Sequence, residues 1–303
     1  MGKKDSNKIT KVMLNKHRIE YFVFIIFGKL LTIFGFHSIK STSKILAFLF
    51  FHIFKIRRQI VLNNLTIAFP KLTSSEINKL AYKNYKSIAT TFLEIFSYKK
   101  LTKEDMKNIF SNKNFHIILE KYNENKGLIM LTAHFGNWEY GAVATGLHLN
   151  LGINVLVKRQ KNPYVAKWLN GFREQYDNVQ INLGVSVREL YKTITDKKIV
   201  GIVGDQRGKR DGIKVNFFGQ TTRTFPGTAA IAIKTQCPVL VMFCARQNDG
   251  NYEAIIEEIN HLEFQGTKEE KIQQFNQKYM SILEKSIRKY PEQWFWMHNI
   301  WKY

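Results

Sequence analysis

The chain has 303 residues, of which 45% are hydrophobic, 23% charged and 14% aromatic, and these proportions argue against a disordered chain. Its formal net charge of +22 indicates an anionic partner, such as nucleic acid, anionic lipid headgroups or an acidic protein. The only two cysteines, Cys237 and Cys244, both lie in apolar sequence, so no disulfide framework is expected.

The N-terminal region combines basic and apolar sequence. Residues 1–17 are predicted to be a basic tail, disordered to about residue 15, and residues 18–60 to form membrane-associating helices. The apolar run 19–36 contains Glu20 and Lys29, and charges within a membrane span are costly. We therefore expect this helix to lie in the membrane interface, with Lys16, Arg18, Arg57 and Arg58 as basic flanks. A buried pair of core helices is the alternative.

Helical patterns continue to about residue 125. Pro70 ends one helix, and Thr73 followed by Glu76 is a capping-box signal for a helix that reaches about Tyr98. The region 61–303 is predicted to be the main domain.

The pattern changes at Gly127, where short apolar runs begin to alternate with amphipathic stretches. Strands are predicted at 127–132, 153–157, 179–182 and 199–203, with helices at 137–148, 163–176 and 185–196 between and after them. Further strands are predicted at 215–218, 239–245 and 252–257, and further helices at 226–235 and 267–289. The alternation predicts an α/β fold with a mostly parallel central sheet flanked by helices.

His134 is the first candidate catalytic residue, because it follows a predicted strand and precedes Glu139 by five positions at a predicted helix start. Neutral imidazole can accept a proton from a hydroxyl group, and a carboxylate can fix its tautomer and stabilise the imidazolium. We therefore predict that His134 and Glu139 are catalytic. A structural histidine held by hydrogen bonds is the alternative.

Other catalytic motifs are missing from the sequence. Position 138 is Trp, which removes the second histidine of a zincin motif, and there is no Gly-x-Ser-x-Gly, Walker or dinucleotide-binding signature. We therefore expect no metal and no cofactor, and a hydroxyl group that the substrate supplies.

Polar clusters follow the predicted strands 153–157 and 199–203 and open the predicted helix 226–235. The carboxyl ends of parallel strands line ligand sites, arginine suits phosphate or an oxyanion, and helix N-termini bind anions. Solvated loops and ordinary helix caps are the alternatives. The predicted substrate-binding or oxyanion residues are Asn137, Arg159, Asp205, Gln206, Gly227 and Thr228.

From about residue 20 to its end, the chain resembles the lipid A biosynthesis acyltransferases, the late (lauroyl/myristoyl-type) enzymes of Gram-negative bacteria. These enzymes belong to the lysophospholipid and glycerol-phosphate acyltransferase superfamily. The box His134–Glu139 matches that superfamily's His-x-x-x-x-Asp/Glu motif. Further matches are Arg159 ahead of Asn162-Pro163, Gly204-Asp205-Gln206, Phe217-Phe218-Gly219 leading to Pro226–Ala230, and the aromatic run Tyr290–His298.

The resemblance implies a glycerol-phosphate acyltransferase-like fold and transfer of a fatty acyl group from acyl carrier protein, or acyl-CoA, to a hydroxyl of a lipid A precursor. The expected place is the cytoplasmic face of the inner membrane. His134 would deprotonate the acceptor, and Glu139 would orient and charge-stabilise His134. Arg159 would bind acceptor phosphate or the oxyanion, and Asp205 would support the site.

Two alternatives stay open at this point. An acyltransferase of the same family could act on an aminolipid or another glycolipid as its anionic acceptor. More distantly, the charge of +22 is compatible with a nucleic-acid-binding protein. The sequence contains no known nucleic-acid-binding module, so we expect no nucleic-acid partner.

Overall fold

The computed structural model describes residues 3–31, 33, 38–111, 113–158, 160–183 and 187–302. Six helices come before the first long strand: α1 (Lys3–Leu31), α2 (Ile39–Phe48), α3 (Arg58–Ala68), α4 (Ser74–Ser97), α5 (Lys103–Ile109) and α6 (Phe115–Tyr122). The later helices are α7 (Trp138–Leu149), α8 (Pro163–Arg173), α9 (Val187–Thr195), α10 (Gly227–Thr235) and α11 (Lys268–Lys289).

Helix α1 corrects the prediction of a disordered N-terminal tail, because the helix begins at Lys3. The sequence has no proline or glycine between Lys3 and Gly28, so no residue in that stretch strongly opposes a helix. Within the described ranges, none of the helices has both the length and the apolarity needed to cross a bilayer.

The capping box predicted at the start of α4 is confirmed. The Thr73 hydroxyl accepts a hydrogen bond from the Glu76 backbone N–H at 3.3 Å, and the Glu76 carboxylate accepts one from the Thr73 N–H at 2.8 Å. Two backbone donors that lack helical partners are thereby satisfied, so α4 begins at Ser74.

The predicted α/β fold is confirmed by a seven-stranded sheet with the order β1-β9-β8-β2-β5-β3-β4. Its strands are β1 (Phe110–Ser111), β2 (Leu128–Thr132), β3 (Ile153–Val157), β4 (Val179–Asn182), β5 (Ile199–Val203), β8 (Val239–Arg246) and β9 (Tyr252–Glu258). Neighbouring strands run parallel except β8 and β9, which are antiparallel. Strands β6 (Ile213–Phe217) and β7 (Gln220–Thr224) form a separate antiparallel hairpin.

The sheet is covered by helices on both faces, and β2 shows how the sequence divides between them. Ile129 and Leu131 are buried in one core, which includes residues of α3, α9, α10 and α11. Leu128 and Met130 are buried in the other core, which includes residues of α5, α6, α7 and α8. Successive strand residues point to opposite faces, so a fully apolar strand is what a sheet buried on both sides requires.

Candidate active site

The site is built on two neighbouring parallel strands. Thr132, the last residue of β2, lies opposite Val203, the last residue of β5. His134 and Asp205 each come two residues later, so this register brings them side by side at the carboxyl edge of the sheet. His134 Nδ1 lies 2.7 Å from Asp205 Oδ1, and the His134 backbone N–H donates to Asp205 Oδ2 at 2.9 Å.

Asp205 is buried and accepts a third hydrogen bond, from Trp294 Nε1 at 2.9 Å. The neighbouring Phe295 N–H donates to the His134 carbonyl oxygen at 2.9 Å. The C-terminal aromatic segment is therefore part of the site, since it contacts both members of the His134–Asp205 dyad.

Helices α3 and α4 hold this segment in place. The buried side-chain amide of Asn64 donates to the carbonyl oxygens of Trp296 and His298, at 2.8 and 2.7 Å. Asn84 makes two equivalent bonds, to Glu292 at 2.9 Å and to Trp294 at 2.6 Å. Asn64 and Asn84, which are more than 200 residues away in the sequence, thus hold the segment whose Trp294 donates to Asp205.

The electrostatics favour an ionised Asp205 and stabilise the positive charge that His134 gains when it accepts a proton. Burial acts to lower the pKa of His134, but the charge of Asp205 and its hydrogen bond outweigh burial and raise that pKa above its ordinary value. Burial acts to raise the pKa of Asp205, but His134 and the hydrogen bonds to the carboxylate lower it. Asp205 is therefore ionised, and it stabilises the imidazolium form of His134.

The contact with Asp205 also assigns the tautomer of His134. An ionised carboxylate only accepts hydrogen bonds, so Nδ1 carries the proton that it shares with Asp205. Nε2 is then the unprotonated nitrogen of the neutral ring, and His134 lines the cavity described below. This arrangement suits a general base that acts on a hydroxyl group.

Glu139 has a different partner from the one expected. Its carboxylate forms a two-pronged ion pair with Arg173 at the end of α8, with Nε to Oε2 at 2.8 Å and a second bond from Nη2 to Oε1. Glu139 acts on His134 through its charge, which favours a higher pKa of His134. The carboxylate that orients the imidazole by direct contact is Asp205.

Arg173 was not among the residues predicted from the sequence. It lies 34 residues from Glu139 in the chain, in the last turn of a helix where a basic residue is common. Nothing local distinguishes it from a surface arginine. Its position after Phe172, which is fully buried, is the one weak indication that it lies beside the inner face of α8.

The turn between β2 and α7 requires glycine at position 136. Gly136 has a φ of +58°, and a Cβ there would lie 1.7 Å from the carbonyl oxygen of Cys244. Its N–H donates to the Gln293 carbonyl at 2.9 Å, and its carbonyl accepts from the Thr91 hydroxyl at 2.7 Å. The backbone that carries His134 is therefore fixed on both sides.

Asn137, predicted to bind substrate, is fully buried instead. Its side-chain oxygen accepts from the Tyr140 N–H at 3.0 Å and caps α7, while its NH₂ donates to Glu94 at 2.9 Å. Glu94 is also buried and forms an ion pair with Arg246 at 2.8 Å. Tyr252 donates a further hydrogen bond to the same carboxylate at 2.6 Å. This network supports the His134 turn from beneath, and burial disfavours leaving any of its charges unpaired.

A cavity of about 330 Å³ opens beside the dyad, between the sheet and helices α7 and α8. His134, Glu139, Arg173, Lys158 and Gln206 contribute polar atoms to its wall. The rest of the wall is mainly apolar and comes from residues of four strands, including Met130, Ile153, Val155, Val157, Met242 and Cys244. Mostly apolar cavities of this size with a few converging polar groups are typical ligand sites.

The remaining predicted residues divide into three cases. Gln206 is exposed and lines the cavity. Gly227 and Thr228 are the first residues of α10, which packs against α9 and α11. Neither of them is among the described residues that line the cavity. Arg159 lies outside the described residues. No group of three His, Cys, Asp or Glu side chains in the described part of the chain is arranged to hold a metal ion.

A His–Asp base beside an apolar cavity, with an α/β sheet beneath it, is an arrangement suited to moving an apolar acyl group onto a hydroxyl. The chain belongs to the bacterial lipid A biosynthesis acyltransferase family, whose sequence model matches residues 8–303. The predicted resemblance is confirmed, and the protein is an acyltransferase of a family that acts on lipid acceptors.

Three relatives illustrate the range of the family. The chain is 22% identical over 251 residues to the lipid A biosynthesis palmitoleoyltransferase of Escherichia coli (strain K12), with 82% of this chain and 79% of the relative covered. The same figures hold for the lipid A biosynthesis acyltransferase of Shigella flexneri. This chain is also 23% identical over 181 residues to the phosphatidylinositol mannoside acyltransferase of Mycolicibacterium smegmatis, with 58% of this chain and 57% of the relative covered.

Proposed function

We propose that this protein transfers a fatty acyl group from the thioester of acyl carrier protein, or of coenzyme A, to a hydroxyl group of a lipid A precursor. The observation that carries this proposal is the His134–Asp205 dyad at the wall of an apolar cavity. A thioester is reactive enough that a positioned hydroxyl and a base supply much of the required rate acceleration. No nucleophilic side chain of the enzyme is needed in this scheme.

In the proposed mechanism, Nε2 of His134 takes the proton of the acceptor hydroxyl while its oxygen attacks the thioester carbonyl carbon. The C–O bond forms, the carbonyl oxygen becomes an oxyanion, and Asp205 stabilises the imidazolium across 2.7 Å. When the C–S bond breaks, the thiolate takes the proton from His134. The products are an ester and the free thiol of the donor.

The oxyanion needs a positive group, and Arg173 supplies one at the cavity wall. Its two-pronged bond to Glu139 holds the guanidinium in a fixed orientation, which avoids reorganisation during the reaction. Arg159 stays a proposed contact for the acceptor phosphate or the oxyanion, and Gln206 stays a proposed contact for the substrate.

The apolar part of the cavity is the proposed site for the acyl chain of the donor. Each buried methylene group contributes about 0.8 kcal/mol, so an apolar cavity favours a long chain over a short one. Strand β5 contributes Gly201 to this wall, and its lack of a side chain leaves room beside Val155 and Ile153.

Association with the membrane is proposed from the outer face of α1. Six apolar side chains on this face, which we call the α1 apolar surface, are 47–66% exposed: Ile19, Phe22, Val23, Ile26, Phe27 and Leu30. Their spacing of three and four residues places them on one side of the helix. With a chain charge of +22, this surface suits the interface of an anionic bilayer. The cytoplasmic face of the inner membrane is the location proposed.

A vesicle-binding measurement tests this surface. Ile26→Asp is expected to weaken binding to anionic vesicles at least about tenfold, because burying an isoleucine contributes about 1.5–3 kcal/mol. Leu262→Asp is the matched control, since Leu262 is similarly exposed but lies outside the α1 apolar surface. Equal binding of the two variants would contradict the membrane role of α1.

The acceptor has a second candidate, because one relative is named for a phosphatidylinositol mannoside rather than for lipid A. An acyltransferase of this fold acting on another glycolipid is therefore the alternative. Mass spectrometry of total lipids from a deletion strain separates the two, since the lipid class that loses one acyl chain is the acceptor.

A transfer assay with purified protein, a carrier thioester and a lipid A precursor tests the proposed activity directly. Replacement of His134 by Ala should abolish transfer. Unchanged transfer by this variant would refute the general-base mechanism.

A further inference from the structure

The turn before α3 holds two basic residues in an unusual backbone conformation. Lys55 and Arg57 have φ angles of +47° and +53°, in the left-handed region that residues other than glycine seldom adopt. The buried Tyr85 holds the turn through a hydrogen bond from its hydroxyl to the Ile56 carbonyl oxygen, and the Ile56 N–H donates to the Phe50 carbonyl oxygen at 3.0 Å. Such conformations are frequent at ligand sites, so the turn presents Arg57 as a candidate binding residue.

Arg57 contacts the C-terminal aromatic segment. Its Nη1 donates to the Met297 carbonyl oxygen at 3.0 Å. The next residue, His298, accepts a hydrogen bond at Nε2 from the Arg207 backbone N–H at 2.9 Å, and Arg207 Nη1 donates to the Asn299 carbonyl oxygen at 2.5 Å. Both guanidinium groups are therefore held by carbonyl groups of the residues on either side of His298. We call Arg57, Arg207 and His298 the His298 cluster.

Charge interactions place the His298 cluster beside the dyad. Burial lowers the pKa of His298, and the charge of Asp205 opposes this effect. The positive charges of Arg207 and Arg57 lower that pKa further, and a positive charge on His134 acts in the same direction. Interactions between charges weaken with distance, so the dyad and both arginines lie close to the His298 ring.

The donors of the His298 cluster suit a phosphate monoester. Nε2 of His298 accepts from a backbone N–H, so the neutral ring carries its proton on Nδ1 and donates there. A guanidinium has five N–H donors, and Arg57 directs one of them at Met297. Two guanidinium charges match the double negative charge of a phosphate monoester better than the single charge of a carboxylate.

Apolar side chains beside Arg57 indicate that the phosphate belongs to a lipid. Ile53, Phe54 and Ile56 are 58%, 62% and 42% exposed and belong to the same turn as Arg57. A lipid joins an anionic headgroup to acyl chains, so it can occupy the His298 cluster and cover these three side chains at the same time. The acidic surface of a carrier protein would match only the charges.

We infer that the His298 cluster binds a phosphate monoester on the headgroup of the acceptor lipid and thereby places the acceptor hydroxyl beside His134. No member of the cluster is among the described residues that line the cavity, although Gln206, next to Arg207, is one of them. The acyl chain of the donor and the headgroup of the acceptor thus have separate sites that meet at the dyad. The inference rests on the proposed function and adds the site for its acceptor.

Arg57→Gln tests the cluster with two acceptors that differ only in phosphate. They are a lipid A precursor and the same lipid after phosphatase treatment, both in micelles of a nonionic detergent. With the phosphorylated acceptor, the variant should raise the apparent KM for the acceptor about tenfold, equivalent to about 1.4 kcal/mol. With the dephosphorylated acceptor, the variant and the unmodified protein should have the same KM. Equal increases for both acceptors would refute the inference, because a defect of folding affects both.

Arg188→Gln is the matched control, because Arg188 is an exposed arginine of α9 and is not among the described residues of the cavity wall. This variant should have the KM of the unmodified protein with either acceptor. An increase as large as that of Arg57→Gln would refute the inference, because it would reduce the effect to general surface charge. An increase in the KM for the donor thioester of Arg57→Gln, with the KM for the acceptor unchanged, would also overturn it, since the cluster would then serve the carrier protein.

An NMR titration of His298 supplies a readout that does not depend on acyl transfer. Inorganic phosphate is the probe, and the ring signal is assigned by its loss in His298→Gln. Phosphate at millimolar concentration should raise the pKa of His298, because an anion beside the ring stabilises the imidazolium, and the rise should be smaller in Arg57→Gln. An unchanged pKa would overturn the inference even if acyl transfer is observed, whereas a normal response without transfer would count against the proposed activity alone.

Discussion

Replacing Asp205 with asparagine measures what the Asp205 charge contributes to His134, while every other charge at the site is kept. Three donors converge on the two oxygens of Asp205: the His134 N–H, His134 Nδ1 and Trp294 Nε1. Asparagine keeps the shape but has one oxygen, so its NH₂ group must face one of these donors. If it faces Nδ1, the ring has to carry its proton on Nε2, where it no longer acts as a base.

The expected loss of rate follows from the lost charge. Two unit charges about 4 Å apart interact by about 4 kcal/mol at an effective dielectric constant of 20, which corresponds to about a thousandfold in kcat. The acid side of the pH–rate profile should also move. Asp205 raises the pKa of His134 against the effect of burial, so without that charge the profile should shift to lower pH.

Initial rates of acyl transfer between pH 5 and pH 9 measure both effects, and Glu139→Gln is the comparison. Glu139 contributes only its charge to His134, so its loss should move the acid side of the profile less than the loss of Asp205 does. A larger shift for Glu139→Gln than for Asp205→Asn would refute the assignment of Asp205 as the partner of His134.

Asp205→Asn should also lower the free energy of unfolding in a defined pH range. The lowered pKa of Asp205 stabilises the fold above the ordinary aspartate value of 3.8, and that contribution is lost as the pH falls through the folded value. The raised pKa of His134 stabilises the fold fully below 6.5, and that contribution is lost as the pH rises through its folded value. The difference in free energy of unfolding between the unmodified protein and Asp205→Asn should therefore be largest between pH 3.8 and pH 6.5.

Three further substitutions test the support of the site and the shape of the cavity. Trp294→Phe removes a hydrogen bond to the charged Asp205 worth about 1.5–3 kcal/mol, so kcat should fall at least about tenfold. Asp205 keeps its charge in this variant, so a shift of the pH–rate profile to lower pH would contradict the role of Trp294 as a donor that only positions Asp205. Glu94→Gln leaves the buried Arg246 without a counter-charge, and urea denaturation should show a loss of about 3–5 kcal/mol, against less than about 1 kcal/mol for Glu257→Gln in an exposed ion pair. Gly201→Val should favour shorter acyl donors, because a Cβ there meets no atom closer than 3.8 Å and the added methyls enter the cavity; an unchanged preference across donors of graded length would count against the acyl site.

Local sequence was sufficient for the elements that carry the dyad but not for its pairing. The apolar runs of β2 and β5 end where predicted, so His134 and Asp205 were both placed after strands. Glu139 was taken as the partner of His134 because it is near in the chain. Which residue faces His134 depends on β5 lying next to β2, and sheet order is set by packing between distant segments.

Signals for helix N-termini are also local, so they predict where a helix begins but not where it packs. The signal at Gly227 and Thr228 correctly predicts where α10 starts, but it does not reveal on which face of the sheet the helix packs. Strand β7 was missed for a related reason. Its sequence Gln220–Thr224 is polar, and Thr222 and Thr224 become buried only when β7 pairs with β6 beside α11.

The hydrogen bond from Trp294 links the site to the order in which the chain is synthesised. Trp294 follows Asp205 by 89 residues, whereas α1 lies far ahead of both in the chain and is therefore synthesised before them. With α1 as the proposed membrane contact, a growing chain can settle on a bilayer well before its dyad has all three donors in place. Binding to the bilayer would then precede activity, and the incomplete enzyme would not hydrolyse the acyl donor.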